Sequence, residues 1–409
     1  MPNSGIWSIP TRKQTQSEFD EHKEELPLRI TLAIEKFDPK VGGAERYNWN
    51  FSHYLASRGH EVAVICLKAI PPDSPGITVH KLMSVNFPQF MRHLTFSIMH
   101  AITVKRLGYD LNIACGNTFF MDVYQPHGGV HKAWAERELV RYPRRFRNAA
   151  GLYRRMLLKN SVQRWMEWLI YTITKPEVIA ISEMIRDDIL RFYNYPPEKI
   201  HLIPNGIDTR KYVQGNRVHR SEIRSMYGLA ENDFVFLFVT NNLRLKGFEL
   251  LVDVCGRLKG LPFKVLIIGD EAGWARKVLR DKGLQDTIIL GGKSGSIEKV
   301  YPACDCLVHP TYYDACSLVV LEALASGLPV ITTDANGAKM YIDEDSGDII
   351  PAGDPNALAR AMEKSMSTTA IQRPAVLFKD HSETFADLEG FFQDILKKNG
   401  IINKQSLDK

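Results

Sequence analysis

From residue 28 onward the chain alternates short apolar runs with amphipathic stretches, and this alternation leaves few folds open. Leu28-Arg29-Ile30-Thr31-Leu32-Ala33-Ile34 reads as a strand and Val41-Gly42-Gly43 as a tight turn. A helix is expected from about Ala44 to Ser57, stopped by Gly59, and Glu61–Cys66 is the next strand. A strand, a crossover helix and a second strand imply parallel pairing. The pattern continues with strand 77–81, helix 88–106 and strand 110–114. After a Gly-, His- and Pro-containing loop it resumes with strand 178–181, helix 183–192 and strand 200–203. Phe234-Val235-Phe236-Leu237-Phe238-Val239 is apolar throughout, as in a parallel strand covered on both faces. Strands at 264–269, 287–290 and 305–309 follow, each leading into a helix.

At 409 residues the chain is long for one core. The breakers in Pro204-Asn205-Gly206-Ile207-Asp208 mark the natural division. The expectation is an α/β protein of two doubly wound, Rossmann-like domains facing each other across a cleft. Residues 1–27 form a flexible extension, 28–205 the first domain and 206–380 the second. A last helix at about 382–397 packs back on the first domain. The polar, basic stretch Thr209–Arg224 reads as a connector.

Composition narrows the function. A net charge of +5 is too small for a general nucleic-acid binder. Six cysteines without C-x-x-C spacing argue for reduced thiols and against zinc. Met1–Leu26 is polar and lacks the apolar core of a signal peptide, and no apolar run approaches the roughly 20 residues of a membrane span. No G-x-G-x-x-G fingerprint occurs, which disfavours a nicotinamide dinucleotide site. Asp343-Glu344-Asp345 sits in a turn-like setting and reads as a solvated loop.

The densest chemistry lies between Tyr312 and Val330. Glu322 falls on an otherwise apolar helix, where an ionised carboxylate needs a partner. An isolated buried glutamate is more often satisfied by local backbone. Ser317 is a natural N-cap, which points free amides and the positive end of the helix dipole at the loop around Asp314. Amides beside two carboxylates suit a ligand that carries both phosphate and hydroxyls. Arg244 and Lys246 occupy another strand-to-helix loop, where cations can neutralise a diphosphate. Gly42 and Gly43 let a ligand approach the backbone, although glycines before a helix often serve conformation alone. His127, in the 116–129 loop near Asp122 and His131, is either an acid, base or hydrogen-bonding contact, or a surface residue.

Between Arg137 and Arg164 nine Arg and Lys face one acidic residue, Glu138. Phe146, Leu152, Tyr153, Met156, Trp165 and Trp168 are interleaved with them. Such a stretch, taken over 137–169, suits an anionic membrane surface. A solvated face covering the sheet is the plainer alternative.

Taken in order, four segments resemble family 4 of the glycosyltransferases, which have the GT-B fold. They are Gly42-Gly43-Ala44-Glu45 with Gly59-His60-Glu61-Val62, Ile203 to Asp208, Arg244-Leu245-Lys246-Gly247, and Asp314 to Glu322 with Ser326-Gly327-Leu328-Pro329-Val330. Asp122-Val123-Tyr124, the basic aromatic insertion and His309-Pro310 bring the resemblance nearest to lipopolysaccharide core glucosyltransferases.

The resemblance implies a retaining transfer of a hexose from a nucleotide-sugar, UDP-glucose first, to a bacterial cell-surface glycan or lipopolysaccharide core. By the same likeness Glu322 binds the ribose, Asp314 contacts the donor sugar, and amides around Cys316, Ser317 and Leu318 hold hydroxyls or phosphate. Arg244 and Lys246 stabilise the departing diphosphate, so no divalent metal and no further cofactor are required. Gly42 and Gly43 approach the phosphate from the other domain, and His127 meets the sugar or acceptor. The protein is expected in the cytoplasm, peripheral at the inner face of the cell membrane. The family usually carries Glu where this chain has Asp314, and its arginine stands further before the lysine than Arg244 does. A catalytically silent nucleotide-sugar-binding or membrane scaffold protein is the alternative.

Overall fold

The computed structural model describes residues 27–85, 89–116, 118–269, 273–367 and 378–400. Apart from Pro27, the expected extension over 1–27 lies outside them. Two lobes, each built on a fully parallel sheet, face each other across a cleft. In the first, seven strands lie in the order Ile77–Lys81, Glu61–Cys66, Arg29–Ala33, Leu111–Ala114, Val123–Tyr124, Glu177–Ala180 and Ile200–Leu202. In the second, six lie in the order Ile288–Leu290, Phe263–Gly269, Phe234–Thr240, Cys306–His309, Val330–Thr333 and Gly347–Ile350.

Both sheets start in the middle, wind to one edge, and return across the first strand to the other. The order therefore reverses beside Arg29–Ala33 in one lobe and beside Phe234–Thr240 in the other. Loops diverge at such points beyond the carboxyl ends of the strands, and ligand crevices open there.

The first-lobe helix Gly43–Ser57 buries Tyr47, Phe51 and Leu55, one helical stripe at a spacing of four. The last helix, His381–Lys398, packs on that stripe through Phe385, Leu388 and Phe392. Asp380 and Glu383 form a capping box at its start. Glu389 accepts from the Tyr54 hydroxyl at 2.9 Å and meets His60 Nε2 at 2.7 Å. Phe392 is fully buried, so Phe392→Ala would cost about 3–5 kcal/mol.

Residues 209–224 differ from the expected connector. They run into the helix Arg220–Met226, and Arg224 is fully buried. Its guanidinium donates to the carbonyls of Ala303, Ala230, Glu231 and Asp233 and pairs with Asp305 at 2.8 Å. In the fold it gathers carbonyls from two separate loops, which is where a planar fork of donors serves best.

All six cysteines are free. Asp343 accepts from the amides of Asp345 and Ser346 and closes its own turn, and no acidic or His/Cys cluster able to hold a metal occurs among the described residues.

Candidate active site

The rim of the second lobe is assembled first. Lys246 sits in the loop between Phe234–Thr240 and the helix Phe248–Arg257. The next residue, Gly247, has φ +86°, and the Pro310 carbonyl lies where a side chain would begin. Only glycine lets this loop pack against the strand end it must touch. Lys246 Nζ forms an ion pair with Asp314 Oδ2, and His309 Nε2 stands 3.4 Å from the same oxygen. Burial alone would raise the Asp314 carboxyl, but Lys246 and His309 hold it well below the ordinary carboxylate range. Burial pushes His309 down, with Asp314 opposing, so its ring is neutral at pH 7.

Ser317 occupies the N-cap position of the helix Leu318–Ala325 but makes no side-chain cap. Its hydroxyl lies 3.3 Å from His309 Nε2, and its amide reaches Asn336 Oδ1 at 3.3 Å. The amides of Leu318 and Val319 have no hydrogen-bond partner among the described residues. Open amides at a helix start, beside a lysine, make an anion seat.

The first lobe closes over this seat. Gly42 is the N-cap of Gly43–Ser57, and a Cβ on Gly43 would stand 3.2 Å from Leu318 Cδ1 of the other lobe. The lobes therefore touch, backbone to side chain, where the anion seat lies. His127 lines the same cleft, its ring 4.7 Å from the Tyr47 ring, with Nε2 buried and unbonded. Burial pushes His127 down to about 4, so it offers a neutral ring nitrogen to a ligand. The cleft encloses about 620 Å³, room for a substrate of small-molecule size.

Two expected members stand apart from this group. Arg244 does not line the cleft. Its guanidinium is exposed, 5.0 Å over the Trp274 ring and 3.7 Å from Glu249. Residues 242–247 turn back on themselves, with Lys246 bonding Asn242 and Gly247 bonding Arg244, so two cations two positions apart leave the loop in different directions. Glu322 is buried, and its oxygens accept from Arg46 Nη2 at 2.5 Å and the Tyr301 hydroxyl at 2.7 Å. Arg46 belongs to the first lobe, so the partner that the buried carboxylate required comes from across the cleft. Among Cys316, Ser317 and Leu318, the Ser317 amide is already taken.

Sequence reasoning passed over three residues here. Lys293 lines the cleft from the loop after Ile288–Leu290, a glycine-flanked cation at a strand end, the same signal that marked Lys246. Arg46 stands one position past the quoted Gly-Gly-Ala-Glu, where only the packing of two lobes could reveal its partner. Asn205 lines the cleft with its Oδ1 buried and unbonded.

Comparison with known proteins agrees with this fold. Residues 41–211 match the model described as Glycosyltransferase Family 4, and residues 219–374 that described as Glycosyl transferases group 1. An uncharacterized glycosyltransferase of Methanocaldococcus jannaschii is 24% identical over 366 residues, covering 83% of this chain and 89% of that protein. The lipopolysaccharide glucosyltransferase WaaG of Escherichia coli is 24% identical over 384 residues, 89% of this chain and 95% of that protein. The crystal structure of WaaG superposes with a TM-score of 0.72 at 19% identity, covering 92% of this chain and 100% of that one. HepE of Anabaena, in complex with UDP and glucose, gives 0.64 at 18% identity, with coverage of 92% and 100%. The two lobes and the cleft between them define a glycosyltransferase of the GT-B class, which moves a sugar from a nucleotide-sugar to an acceptor. Within that class the chain is related to the group 1 and family 4 enzymes.

Proposed function

We propose that this protein is a retaining hexosyltransferase that takes UDP-glucose and glycosylates a bacterial cell-surface glycan or lipopolysaccharide core. The observation that carries the reading is the anion seat: Lys246 beside the open Leu318 and Val319 amides, under Gly43. When a nucleotide-sugar bond breaks, the diphosphate gains charge, and preorganised donors aimed at it lower the barrier most. Lys246, with Lys293 on the same cleft, supplies that charge. His127 presents its free Nε2 to the sugar, and Asp314, ionised and oriented by Lys246 and His309, accepts from sugar hydroxyls. Glu322 takes the ribose, sharing its carboxylate with Arg46. WaaG's glucosyl transfer and the UDP and glucose bound to HepE support the choice of donor.

The basic helices give the acceptor side its setting. Leu152, Tyr153, Met156, Leu158, Trp165 and Trp168 are exposed along Arg147–Met156 and Leu158–Trp168, among arginines. Apolar and aromatic side chains beside cations suit an anionic membrane surface, where an acceptor glycolipid would be met.

Incubation with a panel of nucleotide-sugars, following release of free nucleotide and the anomeric configuration of the product, tests the proposal. UDP-glucose should be the fastest donor and the configuration should be kept. Preference for another nucleotide, or inversion, would overturn the reading.

A further inference from the structure

A second cavity, of about 510 Å³, lies on the first lobe outside the donor cleft. Four cations line it: Lys132 from the helix His131–Arg137, Arg154 and Arg155 from Arg147–Met156, and Arg164 from Leu158–Trp168. They converge because the chain breaks its helix at Leu157, in extended conformation, and folds the two halves together. The elbow is held by Asn160 donating to the Arg154 carbonyl at 2.8 Å and Arg164 to the Arg155 carbonyl at 2.9 Å. These charges would repel one another unless something offset them.

The protein offsets them only in part. Glu136, also on the cavity wall, pairs outward with Arg191 at 3.0 Å. Glu138 takes Arg141 and one nitrogen of Arg154. Arg155 has no carboxylate partner among the described residues. Two polar atoms in the wall are buried and unbonded, Arg154 Nη1 and His131 Nε2. Buried polar atoms are normally hydrogen-bonded, so two left unbonded at one polar cavity point to a missing ligand atom. Burial and the surrounding arginines push His131 down to about 4, which leaves a neutral ring there. His131 follows His127 of the donor cleft by four residues, so their Cα atoms are at most about 14 Å apart. A group held here can belong to a molecule that also reaches the donor sugar.

We propose that this cavity binds a phosphate ester carried by the acceptor, seated on Arg154, Arg155 and Arg164 with His131 as a further contact. The inference rests on the glycosyltransferase reading for the word acceptor, but the anion site stands on its own cavity and can be tested alone. The phosphate could be borne by a sugar of the acceptor or by a lipid headgroup, and the two sources separate by experiment.

The test is a calorimetric titration of the full-length Lys246→Ala protein with inorganic phosphate, the substitution weakening the donor-cleft seat, so that binding lost on changing Arg155 or Arg164 belongs to this cavity. Saturable binding is expected, weakened about tenfold by Arg155→Gln or Arg164→Gln, as loss of one charge-assisted contact implies. Arg144→Gln, outside the cavity, removes the same charge and should leave the affinity unchanged. Arg154 also holds the buried Glu138, so Arg155, exposed and unpaired, carries the test if an Arg154 variant fails to fold. Absence of saturable binding, or equal weakening by Arg155→Gln and Arg144→Gln, would overturn the site. Tighter binding of a soluble hexose phosphate than of inorganic phosphate assigns the group to an acceptor sugar. Retention on phosphatidic acid–phosphatidylcholine vesicles, weakened more by Arg155→Gln than by Arg144→Gln, assigns it to a headgroup. Failure of UDP to bind the wild-type protein would sink the donor reading and leave this result standing.

Discussion

Asp314 and Glu322 belong to one segment, and both are largely withdrawn from solvent, yet their charges are balanced in different ways. Asp314 is neutralised inside its own lobe, by Lys246 from a neighbouring loop, with the uncharged His309 ring close to the same oxygen. Glu322 is neutralised across the cleft, by Arg46 on the first helix of the other lobe. The first arrangement is complete before the lobes meet and so is preorganised. The second exists only while the lobes hold this spacing, and under the proposed ribose role of Glu322 it would tie donor recognition to lobe position. The same stretch of eight residues of helix and its loop thus carries one fixed group and one conditional group.

The comparison predicts a graded set of losses. Lys246→Ala should be the most severe, because it removes a cation from the anion seat and leaves Asp314 ionised without its partner. Turnover should fall by about 10²–10³, with stability lowered by about 3 kcal/mol, read by steady-state kinetics and denaturant unfolding. Arg46→Ala should do less. Its side chain is partly exposed and Tyr301 still donates to Glu322, so about 1–2 kcal/mol of stability should be lost and KM for the donor should change more than kcat. If Arg46→Ala proves as damaging to kcat as Lys246→Ala, the distinction between fixed and conditional groups fails.

Acid sharpens the contrast further. The Asp314 carboxyl is depressed in the fold, so its contribution is present above the unfolded value of about 3.9 and is lost only as pH falls through the lower folded value. The Lys246–Asp314 pair should therefore be unchanged from about pH 8 down to about pH 5. His127 is lowered to about 4, so an unfolded chain takes up its proton below about 6.5 while the fold does not. Stability should decline as pH falls from about 6.5 to 4, and His127→Gln should reduce that decline by about 2 kcal/mol in unfolding measured across the range. The smallest effect belongs to Arg244→Ala. Its exposed guanidinium faces Glu249 and Trp274, and UDP affinity should change by less than about threefold.

Much of this architecture could be read from the chain itself. The strand–helix alternation implied parallel sheets, and runs such as Phe234–Thr240 marked strands buried on both faces. Lys246, Gly43 and His127 were found because glycine, cation and histidine in loops after strands fall at one end of such sheets. What escaped depended on contacts between distant segments. Arg46 and Glu322 are 276 positions apart, and no local pattern pairs them. Arg244 and Lys246 look alike in sequence, yet the turn that Gly247 permits sends one toward Asp314 and the other toward Trp274. Arg224, at the end of the stretch read as a connector, is buried because it satisfies carbonyls contributed by two separate loops.

The central claim is that the donor diphosphate sits at Lys246 and the start of the helix Leu318–Ala325, with Arg244 outside. Calorimetric titration of UDP into the wild-type, Lys246→Ala and Arg244→Ala proteins measures it directly. A loss of about a hundredfold in affinity, some 3 kcal/mol, is expected for Lys246→Ala, with Arg244→Ala close to wild type. Unchanged affinity in Lys246→Ala, or an equal loss in both variants, would contradict it.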